Sequence, residues 1–282
     1  MSFSYKGSQL FVEGISAEQL AKKFETPLYV YSQEILLSNY RNFQKAFRNF
    51  PTTICYALKA NSNPALLRLL AKQGSGADIV SIGELRLAIA AGIPAEKIVF
   101  TGVGKTEKEI IAALQAGVFL LNVESDQELK LTDAIAKRFK KKARIGIRVN
   151  PDIDPQTHPY ISTGLKQHKF GVPMSGALEL YRLAHSLKNI EVAGIHMHLG
   201  SQMGSAAPMI EGFQKILSFI DKLKKEKIEI EVMDVGGGLS IAYAAGDTQV
   251  HVLGGFIYFT AIKEWHTATN LFWNYNFESI FF

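Results

Sequence analysis

The chain has 282 residues, 47% of them hydrophobic, and a formal net charge of +5, which is enough apolar mass for one α/β barrel or two ordinary domains. Its densest basic run, Lys137 to Arg144, has no aromatic platform or nucleic-acid motif beside it and reads as a solvated helix end. Cys55 is the only cysteine, which excludes an intrachain disulfide. The segment Met1 to Lys6 lacks the apolar core of a signal peptide, and the longest uncharged apolar stretch, Val252 to Ile262, falls short of the roughly 20 residues a membrane-spanning helix needs. A cytoplasmic protein with no membrane or nucleic-acid partner is expected.

In chain order, Gln9–Val12 and Leu28–Tyr31 read as strands around a short helix. From about residue 52 short apolar runs alternate with amphipathic segments, the pattern of repeated βα units around a parallel sheet. The strand candidates are Thr53–Leu58, Ala77–Ser81, Lys97–Thr101, Val118–Val123, Arg144–Val149, Val192–His198 and Ile228–Val235. Helical spacing covers Pro64–Lys72, Glu84–Ala91, Glu107–Ala116, Asp126–Phe139, Ala177–Ser186 and Met209–Lys225. Polar or glycine residues follow nearly every strand, namely Lys59, Ser81, Gly102, Glu124, Asn150, Gly200 and Gly236, and such a rim is what a (β/α)₈ barrel enzyme presents. After Asp247 the composition turns aromatic and no further βα unit appears, so the barrel is one strand short. The β-prone run Phe256–Thr260 either lies in the eighth-strand gap or is unstructured, and the preceding Gly254-Gly255 favours the second.

Lys59 is the leading site candidate. It ends the apolar run Thr53–Leu58 where a core has no use for an ammonium, and a partly desolvated amine can form a Schiff base with an aldehyde. The plain alternative is a strand-end lysine snorkelling to water. Gly236-Gly237-Gly238 ends the seventh strand, either as a tight turn or as bare backbone whose amides meet a phosphate; Ile241 excludes a dinucleotide fingerprint. His196 and His198 share a strand face, as a metal pair, as satisfied core groups, or with a ring lying against an aromatic cofactor whose phosphate Ser201 meets; no third ligand at a convincing spacing supports a metal. Gly102–Thr106 fails the P-loop spacing and reads as a loop into a helix with a Thr106/Glu109 capping box. Arg148 places a guanidinium on the rim for a phenolate, carboxylate or phosphate, and Asp78 and Glu84 either pair with Lys59, orient a histidine, or form surface salt bridges.

Together these strings resemble the fold-type III pyridoxal-phosphate decarboxylases, an alanine-racemase-type TIM-like barrel family, over about Phe11 to Asp247. Tyr56-Ala57-Leu58-Lys59-Ala60-Asn61 resembles the cofactor-lysine motif. Gly76–Ser81 with Gly83-Glu84-Leu85, His198–Gln202 and Gly236–Gly238 resemble the motifs around the cofactor. His158–Gly164 followed by Lys169-Phe170-Gly171 resembles the diaminopimelate branch. The resemblance implies pyridoxal 5'-phosphate as cofactor and decarboxylation of meso-2,6-diaminopimelate to lysine. It implies that Lys59 forms the Schiff base, His198 stacks on the ring, and Ser201 with Gly236, Gly237 and Gly238 holds the phosphate. Asp78, Glu84 and Arg148 are then supporting cofactor-binding residues.

The implied domains are a β-domain segment at 1–35, the barrel at 36–247 and an atypical tail at 248–282. The family's eighth strand ends in Glu-Pro-Gly-Arg, and its β-domain brings a Cys-Glu-Ser motif across a homodimer interface. Neither motif is found here, and Cys55 lies on the first strand. A truncated or frameshifted product with impaired turnover and no ready dimer is therefore expected. The other expectations are a non-catalytic cofactor-binding or regulatory remnant, and a different decarboxylase or racemase of the same fold.

Overall fold

The computed structural model describes residues 2–153, 170–238, 240–241 and, as backbone, 256–261. The chain forms two compact units, Met1–Ala46 and Phe47–Phe282. In the first, β1 (Phe3–Lys6), β2 (Gln9–Val12) and β3 (Ile15–Ser16) make an antiparallel sheet, followed by helices α1 (Ala17–Phe24) and α2 (Gln33–Ala46). Ser16 starts α1 through a reciprocal capping box with Gln19. The strand expected at Leu28–Tyr31 is absent. That segment has irregular backbone with Tyr29 85% exposed, and the Ser32 hydroxyl immediately caps α2 by accepting from the Ile35 amide at 3.1 Å. β-propensity without a partner strand does not make a strand.

The second unit alternates β4 (Thr52–Ala57), α3 (Pro64–Lys72), β5 (Gly76–Ile79), α4 (Ile82–Ala90), β6 (Ile98–Phe100), α5 (Glu107–Ala116), β7 (Leu120–Val123), α6 (Asp126–Arg138) and β8 (Ala143–Asn150). It continues with β9 (Val172–Pro173), α7 (Met174–Ser186), β10 (Ile190–His196), α8 (Ala207–Lys225), β11 (Val232–Gly236) and β12 (Phe256–Ala261). Side-chain caps fix several helix starts after strands: Asn63 on α3, Ser81 on α4, Ser125 on α6, and the expected Thr106/Glu109 box on α5. Strands β4 to β8, β10 and β11 run parallel, β10 also pairs with β8, and β12 bridges β11 and β4, so the sheet closes on itself.

The eighth position is therefore filled, which corrects the expectation of an unstructured tail for residues 256–261. It is filled backwards: β12 is antiparallel to both neighbours, with Phe256 opposite Tyr56 and Thr260 opposite Thr52. Seven strands alone would leave β4 and β11 as bare edges, and pairing either with any β-prone run satisfies backbone groups that would otherwise lack partners. The barrel thus shows the rim the first residue of β12, where every other strand shows its last.

Inside the barrel, Cys55, Val99, Leu120, Ala193 and Val232 form one apolar cluster. Side chains two residues apart share a strand face, so Val99, Leu120 and Val232 are succeeded toward the rim by Thr101, Asn122 and Asp234. The lumen therefore changes from apolar to polar in one step. Gly146 makes room for this change, since a methyl group there would lie 2.5 Å from Asn122 Oδ1. Closure by β12 predicts that the amides of Phe256 to Phe259 resist hydrogen exchange in the full chain. Exchange at random-coil rates would show that the ladder to β4 does not form.

Candidate active site

Lys59 lies in the turn that follows β4 and is exposed. The expectation of a partly desolvated amine is not met by the protein's own side chains. Its charge nevertheless acts on Asp78, Glu84, His196 and His198, which places all four within one electrostatic field at the carboxyl end of the barrel. No hydrogen bond or ion pair joins Lys59 to Asp78 or Glu84 among the described residues. Asp78 instead accepts from the Thr101 hydroxyl at 2.5 Å, and Glu84 accepts from the Val80 amide at 2.7 Å at the start of α4. Among the described residues neither carboxylate hydrogen-bonds or ion-pairs with a histidine.

Arg148 does not project freely from the rim. It is buried, its Nη1 donates to both oxygens of Glu124 at 3.2 and 3.3 Å, and its guanidinium lies 5.4 Å from the centre of the Phe170 ring. Desolvating a guanidinium is tolerable only with such a partner. Its Nε has no hydrogen-bond partner among the described residues. Gly171 is required beside it, because a methyl group there would sit 2.8 Å from the Arg148 carbonyl. Lys105 is likewise committed: its Nζ binds Glu128 at 2.7 Å and the carbonyls of Gly102 and Asn122 at 2.6 Å. Sequence reasoning saw only the helix cap beside Lys105 and missed this buried pair.

The two histidines part company. His196 ends β10 fully buried, 3.8 Å from Asp234, and burial holds it neutral, with Arg148 and His198 adding to the effect. His198 lies beyond the strand end at the mouth. Burial, with the Arg148 and Lys59 charges, pushes its pKa down to about 3, so the ring is neutral. Its Nδ1 accepts from the Gly237 amide at 3.3 Å. Groups of three or more potential metal ligands are absent among the described residues.

The glycine turn fits tightly against the loop that follows β10. Gly236 and Gly238 have φ of +70° and +109°, and a methyl group on Gly236 would lie 2.6 Å from the Met197 carbonyl. The Met203 amide donates to the Gly238 carbonyl at 2.9 Å. Two of the three glycine amides are already spoken for, Gly236 by Asp234 at 3.0 Å and Gly237 by His198; only that of Gly238 has no acceptor among the described residues. Ser201 is exposed nearby in sequence. The diaminopimelate-branch string His158–Gly164 lies outside the described residues, as does Lys169.

Beneath the mouth runs a polar layer that the motif search did not find. Asn122 Nδ2 donates to Asp234 Oδ2 at 2.8 Å and approaches Thr101 Oγ1 at 3.3 Å, while the Thr101 hydroxyl reaches Asp78. The signal was present as single polar residues inside apolar strands, at Asn122 and Asp234. Burial pushes Asp78 up to about 7, opposed by the Thr101 hydrogen bond, and pushes Asp234 up to about 8, reinforced by Asp78. For a carboxyl whose folded pKa is raised, the folded state binds the proton more tightly than the unfolded chain. The associated stability is complete below about pH 4 and is lost as pH rises through about 7 to 8. Asp78→Asn, which keeps an acceptor for Thr101 without a charge, should gain stability relative to the parent between pH 5 and pH 9 in urea titrations. A difference that does not change with pH would show that Asp78 titrates normally.

The chain matches the family model described as pyridoxal-dependent decarboxylase, pyridoxal binding domain, over residues 34–269, which extends past the Asp247 limit of the motif resemblance. Diaminopimelate decarboxylases of Aquifex aeolicus and Vibrio cholerae are 49% and 48% identical over 87% and 86% of this chain, in each case 58% of the relative. The crystal structure of the M. jannaschii diaminopimelate decarboxylase in complex with L-lysine superposes with a TM-score of 0.81 at 42% identity, covering 87% of this chain and 58% of that one. The Helicobacter pylori enzyme complexed with L-lysine gives 0.79 at 45% identity, over 82% and 59%. The chain thus spans under two thirds of the length of these relatives. With seven parallel barrel strands, a lysine, a neutral histidine and a glycine turn meeting at their carboxyl end, and a family match over most of its length, the chain belongs to the pyridoxal-dependent decarboxylase family, in its pyridoxal-binding domain.

Proposed function

We propose that this chain is the cofactor-binding part of a decarboxylase that acts on meso-2,6-diaminopimelate, releasing carbon dioxide and yielding L-lysine for lysine biosynthesis. The observation that carries the reading is Lys59, whose amine stands at the barrel mouth with no ion pair among the described residues while Lys105 and Arg148 are tied to carboxylates. Identity of 43% to 49% to diaminopimelate decarboxylases from several bacteria favours that substrate over other amino acids. We place the protein in the cytoplasm, with a small amino acid as its partner and neither nucleic acid nor membrane; no helix among the described residues is long and apolar enough to cross a bilayer.

The residues present fit pyridoxal phosphate. Among the described residues, an amine with no ion pair, a neutral ring and a glycine amide with no acceptor meet at the carboxyl end of the barrel, and the buried Arg148 Nε on β8 has no hydrogen-bond partner. When bound, pyridoxal phosphate supplies an electron-accepting ring that takes up the charge left as a carboxylate departs. Lys59 brings the nucleophilic amine for the aldehyde and, exposed at the mouth, the group that carries a proton there. His198, neutral, offers a flat face to an aromatic ring without repelling a cationic nitrogen. Ser201 and the turn Gly236–Gly238 offer a hydroxyl and the Gly238 backbone amide to a phosphate. Asp78, Glu84 and Arg148, already hydrogen-bonded, set the field in which these groups work.

Strand β12 bears on rate. Because it runs downward from the rim, it ends at the opposite side of the barrel and cannot supply a strand-end side chain to the mouth. This favours a second reading, a chain that binds the cofactor and turns over slowly. Borohydride reduction of the loaded protein followed by peptide mapping should leave the pyridoxyl label on Lys59, and a label on another lysine would overturn the assignment. His198→Ala should weaken cofactor binding by about 1 kcal/mol or more, the scale of lost aromatic stacking; unchanged affinity would exclude a stacked ring. Decarboxylation of diaminopimelate by the chain alone should run on the order of a hundredfold or more below that of the full-length relatives, the scale of one missing acid–base side chain, because β12 brings no strand-end residue to the mouth. Equal turnover would show that the eighth strand position is not needed.

A further inference from the structure

We propose that Asp234, seated against Asn122 in the barrel lumen, is a positioning residue that sets the Gly236–Gly237 turn and thereby holds His198 in a single tautomer at the cofactor site. The inference rests on the reading of the mouth as a pyridoxal-phosphate site, but the state of His198 can be measured without cofactor. Asp234 is fully buried and is held from two directions. Its Oδ1 accepts the Gly236 amide at 3.0 Å and its Oδ2 accepts the Asn122 side-chain amide at 2.8 Å. Asn122 is itself fixed, by its approach to Thr101 and by the backbone of Gly146 beside it. The carboxyl is thus a rigid post rising from the lumen, and the turn is tied to it.

The consequence lies one peptide further on. With the Gly236 amide directed back at Asp234 and φ at +70°, the Gly237 amide points at His198 Nδ1, 3.3 Å away. A ring nitrogen that accepts a hydrogen bond carries no proton, so the single proton of this neutral imidazole resides on Nε2. The contact leaves no slack, because a methyl group on Gly236 would lie 2.8 Å from the same Nδ1. Nothing else among the described residues donates to or accepts from His198. The Gly237 amide, and through it Asp234, is what distinguishes its two nitrogens.

The test is the ¹⁵N spectrum of the histidines in the cofactor-free full chain, where protonated and bare ring nitrogens differ widely in shift. The parent should show His198 with the proton on Nε2 alone. Asp234→Ala should give a mixture of tautomers and on the order of tenfold weaker pyridoxal-phosphate binding, the scale of one lost hydrogen bond. Asp234→Asn should restore the proton on Nε2 as the major tautomer of His198, because its side-chain carbonyl can accept from the Gly236 amide as Asp234 Oδ1 does, although its amide then faces the donating Asn122 Nδ2. A parent spectrum with the proton on Nδ1, or a folded Asp234→Ala chain with the parent's tautomer, overturns the proposal. If Asp234→Ala does not fold, Asn122→Ala decides: it removes only the lumen side of the tie, should broaden or shift the His198 nitrogens, and sinks the idea if they are unchanged. A chain that binds no pyridoxal phosphate would overturn the reading of the mouth, while the spectra would still decide the role of Asp234.

Discussion

A polar side chain inside a closed barrel must find its partners inside the barrel, and the mouth of this protein is organised by that requirement. Thr101, Asn122 and Asp234 stand one pleat above an apolar layer, out of reach of bulk water, and are joined to Asp78 in a continuous hydrogen-bonded row. Leaving any of these groups unpaired would cost roughly 1–3 kcal/mol, so their geometry is constrained more strongly than that of the rim above. The glycine turn hangs from one end of the row and Lys59 acts electrostatically on the other. Closure of the sheet by β12 pairs the edges of β4 and β11, the strands that flank this row.

The charges at the mouth follow a division of labour. Buried cations are matched to carboxylates, Lys105 to Glu128 and Arg148 to Glu124. Truncating one member of such a pair leaves an uncompensated charge, which is far more costly than losing a surface bridge. The histidines are kept neutral by burial and by the Arg148 and Lys59 charges, with Lys105 acting on His196 as well. What remains for chemistry is a solvent-facing amine in a field of hydrogen-bonded carboxyls, next to a ring that carries no charge. Burial raises the carboxyl pKa values of Asp78 and Asp234 below the mouth, which limits the net negative charge that the lumen holds near neutral pH.

Much of this was legible in the sequence, for definite reasons. The seven parallel strands were read within a few residues because buried parallel strands are nearly continuous apolar runs. Helix Glu107–Ala116 was read to the residue because Thr106 and Glu109 mark its start as a capping box, and Pro64–Lys72 because its leucines recur at helical spacing. Lys59, His198 and the glycine turn were found because each breaks a local pattern. The failures also have causes. Leu28–Tyr31 has the composition of a strand, but a strand needs a neighbour, and composition does not supply one. Pairing across the barrel, such as Arg148 with Glu124 or Asn122 with Asp234, joins residues 24 and 112 positions apart, and no periodicity encodes it. The expectation that Phe256–Thr260 is unstructured failed for a related reason: its β-propensity was visible, but the two bare edges that recruit it exist only once the barrel has formed.

The central claim is that the barrel mouth of this chain, as it stands, is a pyridoxal-phosphate site built on Lys59. Titration of the purified full chain with pyridoxal phosphate, followed by visible absorbance beside a Lys59→Ala chain of equal helix content, tests it most directly. The account predicts a saturable band distinct from that of the free cofactor in the parent and its loss in the variant. A parent spectrum that is the plain sum of protein and free cofactor, or an identical new band in both chains, would contradict it.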